Sequence, residues 1–117
     1  MKYELFIKLY LEAKEYNDMD IYIAERGWED WMDECDTDKS IEYMDTVFKL
    51  AKMNLREMRE EILKISRNEM SRKYMIPSRT LQDWEYGNNA PTNYVESALV
   101  YCIFYTAMEA ENGSVKK

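Results

Sequence analysis

Basic side chains cluster in one short stretch of this 117-residue chain. Residues 64–79 contain five basic residues and one glutamate, a net charge of +4, the basic residues being Lys64, Arg67, Arg72, Lys73 and Arg79. Ammonium and guanidinium groups bind anions, and a guanidinium presents its N–H donors as a planar fork that matches paired acceptors. The chemistry that this stretch predicts is therefore recognition of an anionic, acceptor-rich ligand.

Catalytic and metal chemistry have weak support in the sequence. The chain has no histidine, no glycine-rich phosphate loop and no nucleophile paired with a base, and its carboxylates lie in charge runs. The two cysteines, Cys35 and Cys102, lack the spacing of metal ligands. We expect them to be free thiols in a reducing compartment, with a disulfide between them left open. The sequence predicts no enzyme, no cofactor and no metal site.

Apolar residues recur every three or four positions along most of the chain, which predicts amphipathic helices. Three glycines and two prolines leave little room for the turns of an all-β fold. Two capping boxes, Asn54 with Glu57 and Ser66 with Glu69, mark helix starts. The expected fold class is all-α, with helices over residues 3–16, 19–24, 28–32, 41–51, 55–65 and 92–111 and two more within 66–87.

Acidic residues are concentrated in the first half of the chain. Residues 1–53 hold seven basic and fourteen acidic residues, a net charge of −7, whereas residues 54–117 hold nine of each. We therefore expect an acidic helical N-terminal region over 1–53, a second domain over 54–111 and a disordered tail over 112–117. Charges interrupt the first sixteen residues every few positions, so the chain is expected to be cytoplasmic, without a signal peptide or membrane contact.

The stretch 66–87 is typical of two short helices joined by a tight turn. Pro77, which lacks an amide hydrogen, suits the start of the second helix, 77–86. Ser71 is the small residue needed where the two helices approach, and its hydroxyl is expected to bond back to its own helix. The inward-facing residues are expected to be Met70, Tyr74, Ile76, Leu81 and Trp84.

Residues 66–91, SRNEMSRKYMIPSRTLQDWEYGNNAP, resemble the XRE/lambda-repressor-like helix-turn-helix family. The shared pattern is S-R-x-E-x-S-R-x-Y-x-I-P-x-R-T-L-x-x-W-E-x-G. The resemblance implies a lambda-repressor-like bundle and a bacterial or mobile-element transcriptional regulator, with helix 77–86 in the major groove of double-stranded DNA. One position departs: Met75 occupies the turn, where glycine is usual because φ is positive, at a cost on the order of 1 kcal/mol.

Carried over by position, the resemblance assigns roles to individual side chains. Arg79 would read guanine through two hydrogen bonds, worth roughly 1–3 kcal/mol of discrimination. Asp83 would repel phosphate unless it accepts from a cytosine amine or orients Arg79, and both alternatives are open. The base-reading set is Ser78, Arg79, Gln82 and Asp83, and the phosphate set is Ser66, Arg67, Arg72, Lys73 and Asn88.

The last helix has too wide an apolar arc to be buried on one side only. Residues 99–105 leave almost no polar face. Since repressors of this type usually pair to read two half-sites, we expect a homodimer through residues 92–111.

A competing function is an acidic protein–protein interaction module, or a phage or mobile-element inhibitor, that uses the same fold without binding DNA. The net charge of −7, Met75 and Asp83 favour it. Its partner surface would lie in the acidic half, where aromatic side chains ringed by acids would suit a basic protein. The expected surface residues are Trp28, Trp31, Asp33 and Glu34.

Overall fold

The computed structural model describes residues 1–27, 29–34 and 37–116, and only the backbone of residues 33–34 and 110–116. Every regular element in these ranges is a helix, so the expected all-α class is confirmed for the described part of the chain. The chain divides into two compact units, Met1–Lys52 and Met53–Lys117. Within the described residues, no helix is both long enough and apolar enough to cross a membrane.

Unit 1 contains α1 (Tyr3–Ala13), α2 (Met19–Arg26), a short 3₁₀ helix (Asp30–Glu34) and α3 (Thr37–Ala51). Asp18 caps α2, because its carboxylate accepts from the amides of Asp20 and Ile21. The short helix expected over 19–24 is thus confirmed. The core of unit 1 is apolar and includes Phe6, Leu9, Tyr10, Ala13, Tyr22, Met44, Val47 and Leu50.

Tyr22 is the largest fully buried side chain of this core. Its hydroxyl donates to the carbonyl of Leu9 at 3.1 Å, and burial raises the pKa of Tyr22 to about 12. A buried hydroxyl that finds a carbonyl avoids the cost of an unmade hydrogen bond, so this contact ties α2 to α1.

Unit 2 begins with α4 (Leu55–Glu57), which continues as a π-helical segment (Met58–Leu63). The Asn54–Glu57 capping box is confirmed, with both hydrogen bonds at 2.9 Å. The expectation of a regular α-helix over 55–65 is wrong. Lys64 adopts a left-handed conformation (φ 56°), and the amide of Ile65 closes the wide last turn on the carbonyl of Arg59 at 3.3 Å.

Three further helices complete unit 2: α5 (Arg67–Tyr74), α6 (Ser78–Tyr86) and α7 (Asn93–Lys116). Helix α7 extends over most of the segment that the sequence analysis treats as a tail. Of the expected inward-facing residues, Met70 and Leu81 are fully buried, and Tyr74, Ile76 and Trp84 are half-buried. Met58, Val100, Ile103 and Phe104 bring the π-helical segment and α7 into the same core.

Candidate nucleic-acid interface

The turn between α5 and α6 is closed by two hydrogen bonds between the same two residues. The Ser71 hydroxyl donates to the carbonyl of Ile76 at 2.6 Å, and the amide of Ile76 donates to the carbonyl of Ser71 at 3.1 Å. The expectation that this hydroxyl bonds within its own helix is therefore wrong, since its acceptor lies across the turn. Between them, Met75 has φ 56°, as the sequence analysis expects, and is 90% exposed.

The first turn of α6 is linked to the first turn of α5. The hydroxyl of Ser78 donates to the side-chain oxygen of Asn68 at 3.2 Å, and Ser78 is half-buried. Of the four expected base-reading residues, Ser78 therefore has its hydroxyl engaged by the neighbouring helix. This contact and the turn together hold the start of α6 against α5.

The outer face of α6 carries Arg79, the one basic residue among the four base-reading candidates. The side chain of Arg79 is 81% exposed, and its Nε donates to Oδ1 of Asp83 at 3.3 Å. The side-chain amide of Asn88 donates to the same oxygen at 3.4 Å. The structure thus brings together Arg79, Asp83 and Asn88, while Gln82 is half-buried beside them.

Behind this face lies an ion-pair network that the sequence analysis does not predict. The side chain of Glu85 is 1% exposed, and Arg59 donates to both of its oxygens, at 2.9 and 3.0 Å. Arg67 donates to one of them at 3.2 Å. Burial alone would raise the pKa of Glu85, but the hydrogen bonds and charges of the two arginines outweigh it and lower that pKa. Leu81 lies one helical turn before Glu85, and this spacing is the sequence signal for an inward-facing glutamate.

This network leaves less of the Arg67 guanidinium available to bind a phosphate. Its side chain is 24% exposed, it pairs with Glu85, and its guanidinium lies 5.2 Å from the centre of the Tyr86 ring. Ser66 caps α5 by accepting from the amide of Glu69 at 3.1 Å. The expected second half of this capping box is replaced, since the Glu69 carboxylate accepts from the Ser66 hydroxyl at 3.4 Å.

Arg72 and Lys73 are exposed and line an open groove of about 470 Å³. The groove is otherwise lined by Leu63, Ile65, Glu69 and Thr106, which come from the end of the π-helical segment, α5 and α7. The expected base-reading residues of α6 do not line it. The five expected phosphate residues are therefore distributed: Asn88 beside Arg79, Ser66 and Arg67 at the start of α5, and Arg72 and Lys73 at the groove.

The expected partner surface in unit 1 is only partly described. Trp28 and the side chains of Asp33 and Glu34 lie outside the described residues. Trp31 is half-buried, and its indole N–H donates to the carboxylate of Glu29 at 2.8 Å. Glu29 also accepts from Arg26 at 3.4 Å. Trp31 is thus part of a local polar network as well as of a shallow groove with Leu5, Lys8, Glu29 and Asp30.

Helix α7 presents exposed apolar or small side chains along its length: Tyr94, Ala98, Cys102 and Tyr105. Tyr94 is 74% exposed and Tyr105 is 40% exposed. Cys102 is a free thiol, and Cys35, its partner in the alternative of a disulfide, lies outside the described residues. Within the described residues, no group of three or more His, Cys, Asp or Glu side chains is placed to hold a metal ion.

The chain matches no protein-family model, no curated protein and no solved structure. The class of protein is therefore argued from the geometry of α5, the turn and α6.

Proposed function

We propose that this chain is a sequence-specific DNA-binding transcriptional regulator of the helix-turn-helix type, with unit 2 as a lambda-repressor-like bundle. One observation carries the proposal: α5 and α6 are joined across a left-handed turn closed by Ser71 and Ile76, and an exposed guanidinium, Arg79, stands in the first turn of the second helix. In this class of protein the second helix enters the major groove with its N-terminal residues at the base edges.

The positions of the polar side chains support specific roles. Arg79 is the base reader, and Gln82 lies one turn along α6 on the same side. The first turn of α5 offers the positive end of a helix dipole to a phosphate, with Ser66 as the cap that accepts from the amide of Glu69. Arg72 and Lys73 add exposed positive charge. These contacts position the protein on the duplex, whereas Arg79 supplies the discrimination.

The net charge of −7 weakens non-specific attraction to DNA without removing a local contact surface. Attraction between exposed charges is screened beyond about 8 Å at physiological ionic strength. The charge of Arg67 is offset by Glu85, so the exposed basic side chains that act at contact distance are Lys64, Arg72, Lys73 and Arg79.

The proposal includes a homodimer through residues 92–111. Its support is the exposed stripe of Tyr94, Ala98, Cys102 and Tyr105 on α7, because pairing two copies would cover these side chains. Two α6 helices would then read two half-sites on one face of the duplex.

The test is selection from a random-sequence duplex pool, followed by titration of the selected duplex at low and physiological salt. Arg79→Ala is expected to relax the preference at one base pair and to cost roughly 1–3 kcal/mol on the selected site. Lys73→Ala is expected to weaken all sequences and to reduce the salt slope by about one. Arg56→Ala, which removes another exposed arginine of unit 2, is the matched control and should leave base preference unchanged.

Absence of binding at low salt, where phosphate attraction is strongest, would contradict the proposal. The acidic protein–protein module would then be the better function. In that case Trp31→Ala, and not Arg79→Ala, should abolish capture of a partner by the full chain.

A further inference from the structure

Asp83 is anchored more firmly than an ordinary exposed carboxylate on a helix. Its side chain is 21% exposed, and Oδ1 accepts from the side-chain amide of Asn88 at 3.4 Å. Its backbone carbonyl accepts from the amides of Asn88 and Asn89 at 2.9 and 3.3 Å. The loop that follows α6 therefore holds Asp83 through both its backbone and its side chain.

Arg79 is far more accessible to solvent than Asp83, since its side chain is 81% exposed. Its contact to Asp83 uses Nε, at 3.3 Å. A guanidinium carries five N–H donors, and a single bond through Nε leaves Nη1 and Nη2 available. Two guanidinium nitrogens are what a bidentate bond to O6 and N7 of guanine requires.

We infer that Asp83 is a positioning residue that holds Arg79 for a bidentate contact with guanine, so that the pair specifies a guanine in the site. The inference rests on the proposed function, and it adds the identity of the base that the Asp83–Arg79 pair would read. It also favours one of the two alternatives for Asp83. Oδ1 already accepts from Arg79 and Asn88, so a cytosine amine would have to use Oδ2, and the Arg79 charge offsets the repulsion of a carboxylate by phosphate.

The exposure of Arg79 indicates that the pair serves recognition rather than folding stability. An ion pair one turn apart on a helix contributes little to folding when one partner is as exposed as Arg79, because that group is hydrated and mobile. In a DNA groove the same contact reduces the conformational freedom that Arg79 must lose on binding. Unit 2 offers a comparison outside α6, since Arg56 of α4 and Glu60 of the π-helical segment form another ion pair one turn apart, at 3.4 Å.

The experiment measures base preference with the full chain. Wild type, Asp83→Ala, Arg79→Ala, the double variant and Glu60→Ala are each titrated with the duplex selected from a random pool and with duplexes that replace each guanine in turn. Asp83→Ala is expected to reduce discrimination for one guanine by about tenfold, within the range that one bidentate contact supplies. The double variant should match Arg79→Ala, because a positioning residue has nothing to act on once Arg79 is absent. Asp83→Asn, which keeps an acceptor, should recover part of the preference, and Glu60→Ala should change none.

Each contrary result has a distinct meaning. If Asp83→Ala strengthens binding to all sequences equally and leaves the guanine preference intact, Asp83 only repels phosphate and the inference fails while the proposed function stands. If Asp83→Ala loses preference for cytosine at a neighbouring position, Asp83 reads that base itself and the inference again fails alone. If the wild-type chain selects no sequence, the proposed function and the inference fail together.

Discussion

At the scale of single residues, Glu85 is a carboxylate with almost no access to water, since its side chain is 1% exposed. Its side chain is enclosed between Arg59 and Arg67, and Arg59 also donates to the carbonyl of Ile65 at 3.2 Å. Enclosing charges costs solvation, so such a network contributes little net stability while it is intact. Removal of one partner is different, because it leaves a guanidinium without compensation.

We expect Glu85→Gln to lower the free energy of unfolding by about 3–5 kcal/mol, measured by urea denaturation followed by circular dichroism. Asp45→Asn is the matched control, since Asp45 pairs at 3.0 Å with the exposed Lys49 one turn along α3, and its effect should stay below about 1 kcal/mol. Equal, small effects of the two variants would contradict the enclosed network.

The same substitution should change how stability depends on pH. The pKa of folded Glu85 lies below its ordinary value of 4.5, so the unfolded chain takes up a proton first as the pH falls. The contribution of Glu85 is therefore complete above that ordinary value and is lost as the pH falls from it toward the folded pKa. Glu85→Gln should flatten the pH dependence over this interval.

At the scale of the elements, the turn between α5 and α6 carries backbone strain at a position where the side chain does not contribute to the core. Met75 has φ 56° and is 90% exposed. Met75→Gly is expected to raise the free energy of unfolding by up to about 1 kcal/mol, since relief of the strain exceeds the added freedom of the unfolded chain. Met75→Ala keeps a Cβ at the same φ and should give no gain, so a gain from alanine would show that removal of the methionine side chain, and not strain, is responsible.

Features that depend only on residues close together in the sequence could be predicted. The helix starts at Asn54 and Ser66, the burial of Met70 and Leu81 and the positive φ of Met75 all follow from neighbours within a few residues. The Arg59–Glu85 pair could not be predicted, because its partners are 26 positions apart and meet only in the folded unit. The π-helical segment could not be predicted for a different reason, because its apolar residues have the spacing of an α-helix.

At the scale of the whole molecule, the excess of acidic residues repels DNA at long range. The acidic excess lies entirely within residues 1–53, whereas residues 54–117 are neutral. At about 0.01 M ionic strength the screening length is about 30 Å, so the whole chain then repels a polyanion. The proposed DNA affinity should therefore depend on acidic residues within 1–53, which are not part of the proposed site.

Glu4, Glu15 and Glu25 are exposed, and changing all three to glutamine would bring the net charge from −7 to −4. We expect this variant to bind the selected duplex about two- to fivefold more tightly at about 0.01 M salt, because repulsion slows association less. At about 0.5 M salt the difference should vanish. Changing the same three residues to aspartate keeps the charge and should have no effect at either salt, so a gain from aspartate would assign the effect to local structure.

The π-helical segment bears on how this sequence can vary during evolution. A turn that closes on the fifth residue holds one residue more than an α-helical turn, so a one-residue deletion within Met58–Leu63 can be absorbed locally. Such a deletion would rotate Arg59 away from Glu85 and leave a buried carboxylate without its main partner. Among homologous chains, length changes at 58–63 and loss of the acid at position 85 are therefore expected to occur together.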